Sequence, residues 1–364
     1  MSDATHLELL TTEDRVWIDD IYGDRTADPG RLSPEDLARL TERERERYAM
    51  RRTRFLRMMP LIKTSIVAEV MEQLDLMANS SISSDLHQQD VPILNGDPGV
   101  GKTMILKTHA AEEMQRLALH RSIELEDGVA EPAFIFRPVV YVHLRGPMTQ
   151  HDLIRLICDE LNWPSDRNPQ RAFEQAKHYF DLRLVIIDEI QHVNFDGKTG
   201  RNVHNIIRWM TNIGIRVILS GTAIDWVLQG SDNGAIDVAA RNSRGRWVRL
   251  DVPKFDIDTV ERRAQWLGVI DAFANRLRLV CAPSDPSWLA DEFGDYLWSR
   301  TEGYFNSLVL LLNLASTMAI QAGIEKFDRS MLERCKLEIE VDQHRARREV
   351  METGRKRRSR SAHD

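Results

Sequence analysis

Sulfur chemistry, long apolar runs and basic excess are all scarce in this sequence. The three cysteines in 364 residues, Cys158, Cys281 and Cys335, lie far apart. Their spacing excludes a disulfide scaffold and any recognised cysteine-based metal module. Isolated thiols of this kind fit a reducing cytoplasm. No apolar run approaches a membrane span, and Met1-Ser2-Asp3-Ala4 lacks signal-peptide character, so a cytoplasmic chain without a membrane segment is expected. A net charge of −7 excludes a protein that coats DNA uniformly and leaves local basic patches as the only route to nucleic acid. No internal repeat is apparent. What is present, 42% hydrophobic and 29% charged residues, is an ordinary globular composition. The length suits one large or two smaller domains.

The most informative stretch is Gly96-Asp97-Pro98-Gly99-Val100-Gly101-Lys102-Thr103. It matches G-x-x-x-x-G-K-[ST], a loop that cradles phosphates when it joins a strand to a helix N-terminus. Val91–Asn95 reads as a short buried strand before it, and Lys102–Leu119 as an amphipathic helix after it. Gly99 and Gly101 keep Cβ atoms off an anion and permit positive φ. Lys102 would reach the β- and γ-phosphates, and the Thr103 hydroxyl would ligate Mg²⁺. Asp97, Pro98, Val100 and Met104 complete the loop and first helical turn.

A second half-site is expected on a neighbouring strand. Leu184-Val185-Ile186-Ile187 is an apolar run suited to burial on both faces of a parallel sheet, and it ends in Asp188-Glu189. Ligands of open α/β sheets collect beyond the carboxyl ends of strands, where both acids would lie. Asp188 would hold Mg²⁺ and Glu189 would activate the attacking water. The two motifs together imply an ATPase-type site using ATP and Mg²⁺. A metal hydrolase built from His192, His204 and Asp196 has no recognised ligand spacing.

The rest of the chain alternates. Val139–Leu144, Ile215–Ser220 and Trp247–Leu250 read as further strands, with helices at Asp152–Leu161, Pro169–Tyr179 and Val203–Met210. This order implies a mainly parallel sheet covered on both faces. After Pro253 only helices are expected, near Glu261–Leu279, Pro286–Arg300, Phe305–Gln321 and Arg329–Arg348. Ser33-Pro34-Glu35-Asp36 reads as a cap opening one long charged helix that runs through alternating glutamates and arginines into Arg51, Arg52, Arg54 and Arg57 before Pro60. It is either a solvated face or a surface for phosphates or a partner. Four regions follow: a charged helical extension over 1–60, an α/β nucleotide-binding core over 61–252, an α-helical lid over 253–350, and a polycationic, disordered-looking tail over 351–364.

A helical lid after the sheet, with Asp188-Glu189 on the third strand, resembles the AAA+ ATPases. Ser220-Gly221-Thr222 ends the fourth strand, where that family carries its polar sensor; Thr222 is the preferred match and Ser220 the second. Arg244, with Arg241 as runner-up, falls where the family carries the arginine finger that reaches the ATP of an adjacent subunit. Within the superfamily the chain is similar to the transposition regulators TniB, TnsC and MuB over roughly residues 60–325. That similarity rests on Gly96–Thr103, Ile187–His192, Leu219–Thr222 and the helix from Thr301-Glu302-Gly303-Tyr304 onward. Phe305-Asn306-Ser307 departs from the family by offering no lid arginine to the γ-phosphate.

The resemblance implies a homo-oligomer, ring or helical filament, on double-stranded DNA without sequence preference. It would recruit a transposase and a target-selection protein of the TniQ or TnsD kind, including an RNA-guided one. In such relatives the loop after the second strand faces DNA, here with Arg145 and Thr149 as candidate phosphate donors, although Thr149 equally suits a plain helix cap. A replication initiator or helicase loader of the Orc/Cdc6 or DnaC/IstB kind shares these nucleotide motifs. A nucleotide-gated signalling switch that never touches DNA is the remaining alternative.

Overall fold

The structure, a computed structural model, describes residues 5–22, 26–82, 90–129, 135–165, 168–193, 197–224 and 247–338, together with 341 and 343; for 80–82 and 197–203 it describes the backbone alone. The chain divides into two compact units, one comprising residues 1–22 and 65–252, the other residues 23–64 and 253–364. The first sixty residues are therefore shared between them. No described helix is long and apolar enough to cross a membrane.

The first unit is built on a sheet of β1 (Val91–Asn95), β2 (Val139–His143), β3 (Leu184–Asp188), β4 (Arg216–Gly221) and β5 (Trp247–Asp251). All neighbours pair in parallel, in the order β2-β3-β4-β1-β5. β1 and β3 are buried along their whole length, which is why they read as unbroken apolar runs. Pro92 is tolerated because the β1–β4 register begins one residue later, at Ile93.

Alternation sends Val140, Val142, Val185, Ile187, Val217 and Leu219 into a core with α6 (Gln150–Glu160), α7 (Pro169–Phe180) and α8 (Gly197–Asn212). On the N-terminal side, α1 (Thr12–Tyr22), α4 (Ser65–Ile82) and α5 (Lys102–Glu126) pack together. α5 runs a further two turns beyond Leu119 because nothing breaks it before Gly128, which takes φ +67.

The second unit holds α2 (Pro34–Arg39), α3 (Glu42–Arg57), α9 (Val260–Ala274), α10 (Trp288–Thr301), α11 (Phe305–Gln321) and α12 (Arg329–Arg334) around Trp266, Phe273, Leu297, Leu308, Leu311 and Leu312. Two sequence expectations are corrected here. The long charged helix is two helices, because Thr41 and Glu44 form a reciprocal capping box that starts a new one. The helix that opens at Arg329 ends at Arg334 instead of running unbroken to Arg348, and Val341 and Gln343 are helical again. Cys335 turns extended, and Cys335 and Leu337 enter the core on alternate positions while the Arg300 guanidinium donates to the Cys335 carbonyl.

Candidate nucleotide site

Topology brings the chemistry to one edge of the first unit. β1 and β3 end beside β4, so Gly96, Asp188 and Ser220 all lie at the carboxyl end of the sheet. Gly99 (φ +80) and Gly101 (φ +105) adopt the left-handed backbone that the loop demands, and Gly101 caps α5. At Gly96 a methyl group would stand 2.3 Å from the Val252 carbonyl oxygen, so only glycine lets the chain leaving β5 pass this close.

Lys102 is 4% exposed, and its Nζ donates to the carbonyls of Gly96 (2.7 Å) and Asp97 (2.9 Å). Burial lowers its pKa, against the pull of Glu189, Asp188 and Asp97. An ammonium has three protons to donate, so a buried one held by two carbonyls retains a donor for an anion. Met104 continues the first turn, its N–H donating to Gly101 O at 3.0 Å.

Asp188 is fully buried, and its Oδ2 accepts from Thr103 Oγ1 at 2.7 Å and Tyr141 OH at 2.8 Å, with His143 Nδ1 at 3.4 Å. Burial works against its ionisation, but the hydroxyls of Thr103 and Tyr141 and the His143 ring outweigh it, and the carboxyl lies below its usual range. A hydroxyl and an ionised carboxylate are the hard oxygen donors that Mg²⁺ prefers, so Thr103 and Asp188 fit that ion. The Thr103 and Lys102 geometry likewise fits a nucleotide phosphate.

Glu189 adopts φ +62, ψ +44, a conformation costly for a residue with a Cβ and held here by its N–H donating to Asp188 Oδ1 at 3.0 Å. Its carboxylate accepts from the Gln191 side-chain amide, and Gln191 Oε1 accepts the Thr222 N–H at 3.1 Å. Thr222 Oγ1 is enclosed without a hydrogen-bond partner among the described residues, an orphan that suits a polar ligand. Gln191 and Tyr141 were not singled out as site residues by sequence reasoning. For Gln191 the available signal was an amide two residues beyond the acid pair; for Tyr141 there was none, since it reads as a strand aromatic.

A cavity of about 830 Å³ follows the open edge of β2, lined by Trp17, Thr103, Lys107, Tyr141, His143 and Arg145 among others. Arg145 is exposed at its rim. Thr149 caps α6: its hydroxyl donates to Asp152 Oδ2 at 2.7 Å and accepts the Asp152 N–H at 3.3 Å. Arg241 and Arg244 lie outside the described residues.

Residues 85–225 match the AAA domain family. No curated protein matches the chain in sequence. Among solved structures, the chain is similar to the Aeropyrum pernix Orc1 protein in complex with DNA, with a TM-score of 0.50 and 16% identity over 73% of this chain and 63% of that one. It is also similar to the Aeropyrum pernix Orc2 protein in its ADPNP and ADP complexes (TM-score 0.49, 14% identity, 73% and 66% of the two chains). A third is Cdc6p of Pyrobaculum aerophilum (TM-score 0.48, 14% identity, 72% and 67%). The chain thus spans 63% of the length of Orc1, and at this identity the likeness is one of fold. The family match over residues 85–225 takes in the phosphate loop and four of the five strands of the parallel sheet.

Proposed function

We propose that this chain, with the AAA domain as premise, is a regulatory ATPase of DNA transposition. In this reading ATP-bound subunits assemble head to tail on double-stranded DNA as a ring or filament. The assembly recruits a transposase and links it to a target-selection protein of the TniQ or TnsD kind, whether or not that partner is RNA-guided. Hydrolysis then dismantles it. The observation that supports the ATPase most directly is the 2.7 Å hydrogen bond from Thr103 to Asp188, which joins the phosphate loop to the acid of another strand.

The residues divide the work by chemistry. Backbone amides of Gly99–Thr103 and the Lys102 ammonium bind phosphate oxygens. Thr103 and Asp188 hold Mg²⁺, which when bound offsets charge on those oxygens. Glu189, steadied by Gln191, takes the proton of the attacking water. Thr222, through its orphan hydroxyl, and Ser220 are the polar sensors. Arg244 or Arg241 of a neighbouring subunit supplies the finger. Arg145 is the better DNA-contact candidate of its loop, since the Thr149 hydroxyl is committed to Asp152.

Glu189→Gln is the test. The variant is expected to bind ATP and stay trapped on duplex DNA while hydrolysis falls on the order of a hundredfold or more. Hydrolysis at the wild-type rate would remove Glu189 from this role. A helicase loader would share the same ATPase behaviour, and the fold likeness to Orc proteins keeps that second reading in view. Stimulation of strand transfer by a cognate transposase separates the two, because a loader leaves that reaction unchanged.

A further inference from the structure

The second unit carries a charged surface that the nucleotide site does not use. α3 is anchored by one face: Tyr48, Arg52, Phe55 and Leu56 are buried. Arg52 pairs with Glu325 at 2.6 and 3.1 Å, the Tyr48 hydroxyl donates to Gly30 O at 2.8 Å, and the Arg276 guanidinium covers the Phe55 ring at 3.9 Å. The opposite face is exposed among the described residues.

At about 100° per residue, Arg43, Arg47, Arg51, Arg54 and Arg57 fall within roughly 120° of arc on that exposed face, spread over about 21 Å of helix. All of them are exposed. None of their side chains makes a hydrogen bond or salt bridge among the described residues. Acidic residues of the helix, Glu42, Glu44 and Glu46, are confined to its first turns, and Glu44 is held by the Thr41 cap. From Arg47 to Arg57 the helix has no carboxylate at all.

We infer that this arginine stripe is an interaction surface for the sugar–phosphate backbone of duplex DNA, separate from the loop after β2. The inference rests on the DNA-bound reading proposed above. Three features suit a polyphosphate, the last two of them better than an acidic protein. Every cation on the helix is arginine, whose guanidinium forks onto phosphate oxygens. The charges recur at three- and four-residue steps, a ladder of about 5–6 Å rungs along an extended line. The arc also lacks the aromatic anchors of a protein interface, its large apolar member being Met50, 68% exposed. Contacts of this kind position a duplex without reading its sequence.

The test compares full-length wild type with the Arg47→Gln, Arg51→Gln, Arg54→Gln triple variant. Binding of each to a short random-sequence duplex is titrated with a non-hydrolysable ATP analogue across a salt series. The expected result is at least a tenfold loss of affinity at low salt. The slope of log K against log salt should become shallower by about 2 to 3, near 0.9 for each phosphate no longer engaged. ATP-analogue affinity and melting temperature are expected to stay unchanged, since these exposed side chains make no hydrogen bond or salt bridge among the described residues.

Equal affinity and equal slope for the two proteins overturns the inference while leaving the proposed function standing. No duplex binding by the wild type overturns both. Retention of a polyglutamate peptide by the wild type and its loss by the variant, with duplex binding unaltered, overturns the inference in favour of an acidic protein partner.

Discussion

Gln191 ties Glu189 to Thr222: its side-chain amide donates to the Glu189 carboxylate and its carbonyl accepts the Thr222 N–H at 3.1 Å. An amide side chain does both at once from two separate atoms. It connects the acid after β3 to the polar residue after β4, the two groups that would flank a reacting phosphate. Gln191→Leu is expected to lower the ATP hydrolysis rate about tenfold, equivalent to about 1.4 kcal/mol of barrier, with ATP affinity held within about twofold. Gln191→Glu should do worse, because it sets a second anion against Glu189 and loses the donor. Single-turnover hydrolysis and calorimetric binding separate the two parameters. A loss confined to affinity would contradict the positioning role.

Gly221 makes room for that amide. A methyl group built on it would stand 2.8 Å from Gln191 Oε1, 2.9 Å from Ile224 Cγ2 and 3.0 Å from Ile190 Cγ2. Gly221→Ala is expected to cost about 1–3 kcal/mol in a chemical melt by overpacking, and to depress hydrolysis by displacing Gln191. If stability falls while single-turnover hydrolysis is unchanged, Gln191 has not moved.

His109 sets a pH limit on stability. It is fully buried in α5, and burial carries its pKa from 6.5 down to about 4. Glu113 and the guanidiniums of Arg116 and Arg216 face it, with Asp75 of α4 at 3.7 Å. Asp75, His109 and Glu113 have the donor types of a cation site. Glu113, however, is already paired with Arg116 and Arg216, and its pKa is lowered to about 2 despite burial.

Between pH 6.5 and 4 the unfolded chain takes up a proton at His109 that the folded chain refuses, so stability falls with falling pH in that window. The loss approaches about 3 kcal/mol at its lower end. Glu113 contributes its own loss only below pH 4.5, as its stabilised carboxylate is protonated. Urea midpoints across this range should fall for the wild type and stay flatter for His109→Gln.

The Arg52–Glu325 pair is 2% and 5% exposed and serves backbone as well as side chains. Arg52 Nη1 also donates to Arg278 O at 3.0 Å, and Glu325 Oε2 accepts the Val280 N–H at 3.1 Å. Glu325→Leu is expected to cost about 3–5 kcal/mol, because it strands a buried guanidinium. The double variant Arg52→Met with Glu325→Leu should recover only part of this, since the buried Val280 N–H and the partly buried Arg278 carbonyl lose these partners. Denaturant midpoints for the three proteins check the order. Full recovery in the double variant would show that the backbone contacts contribute little.

The elements legible in the sequence were those whose signals are local. The phosphate loop, its flanking strand and helix, the apolar run ending in Asp188, and the caps at Ser33 and Thr149 each depend on chemistry within a few residues of themselves. A buried parallel strand must be apolar on both faces, and a loop that bends back on an anion must have glycines; composition alone reveals both. Even locally the reading failed where two signals competed: helical periodicity ran through Leu40–Thr41, while the capping box broke it there.

Tertiary structure decided what depends on residues far apart. The order β2-β3-β4-β1-β5 puts β3 two places from β1, so that Thr103 meets Asp188 across 85 positions of chain. Strand register carries Tyr141 to the same carboxylate and Gln191 between two strand ends. The packing of α3 alone turned a charged helix into one buried face and one exposed row of arginines. Hydrogen bonds and burial are properties of neighbours in space, and a linear pattern records only neighbours along the chain.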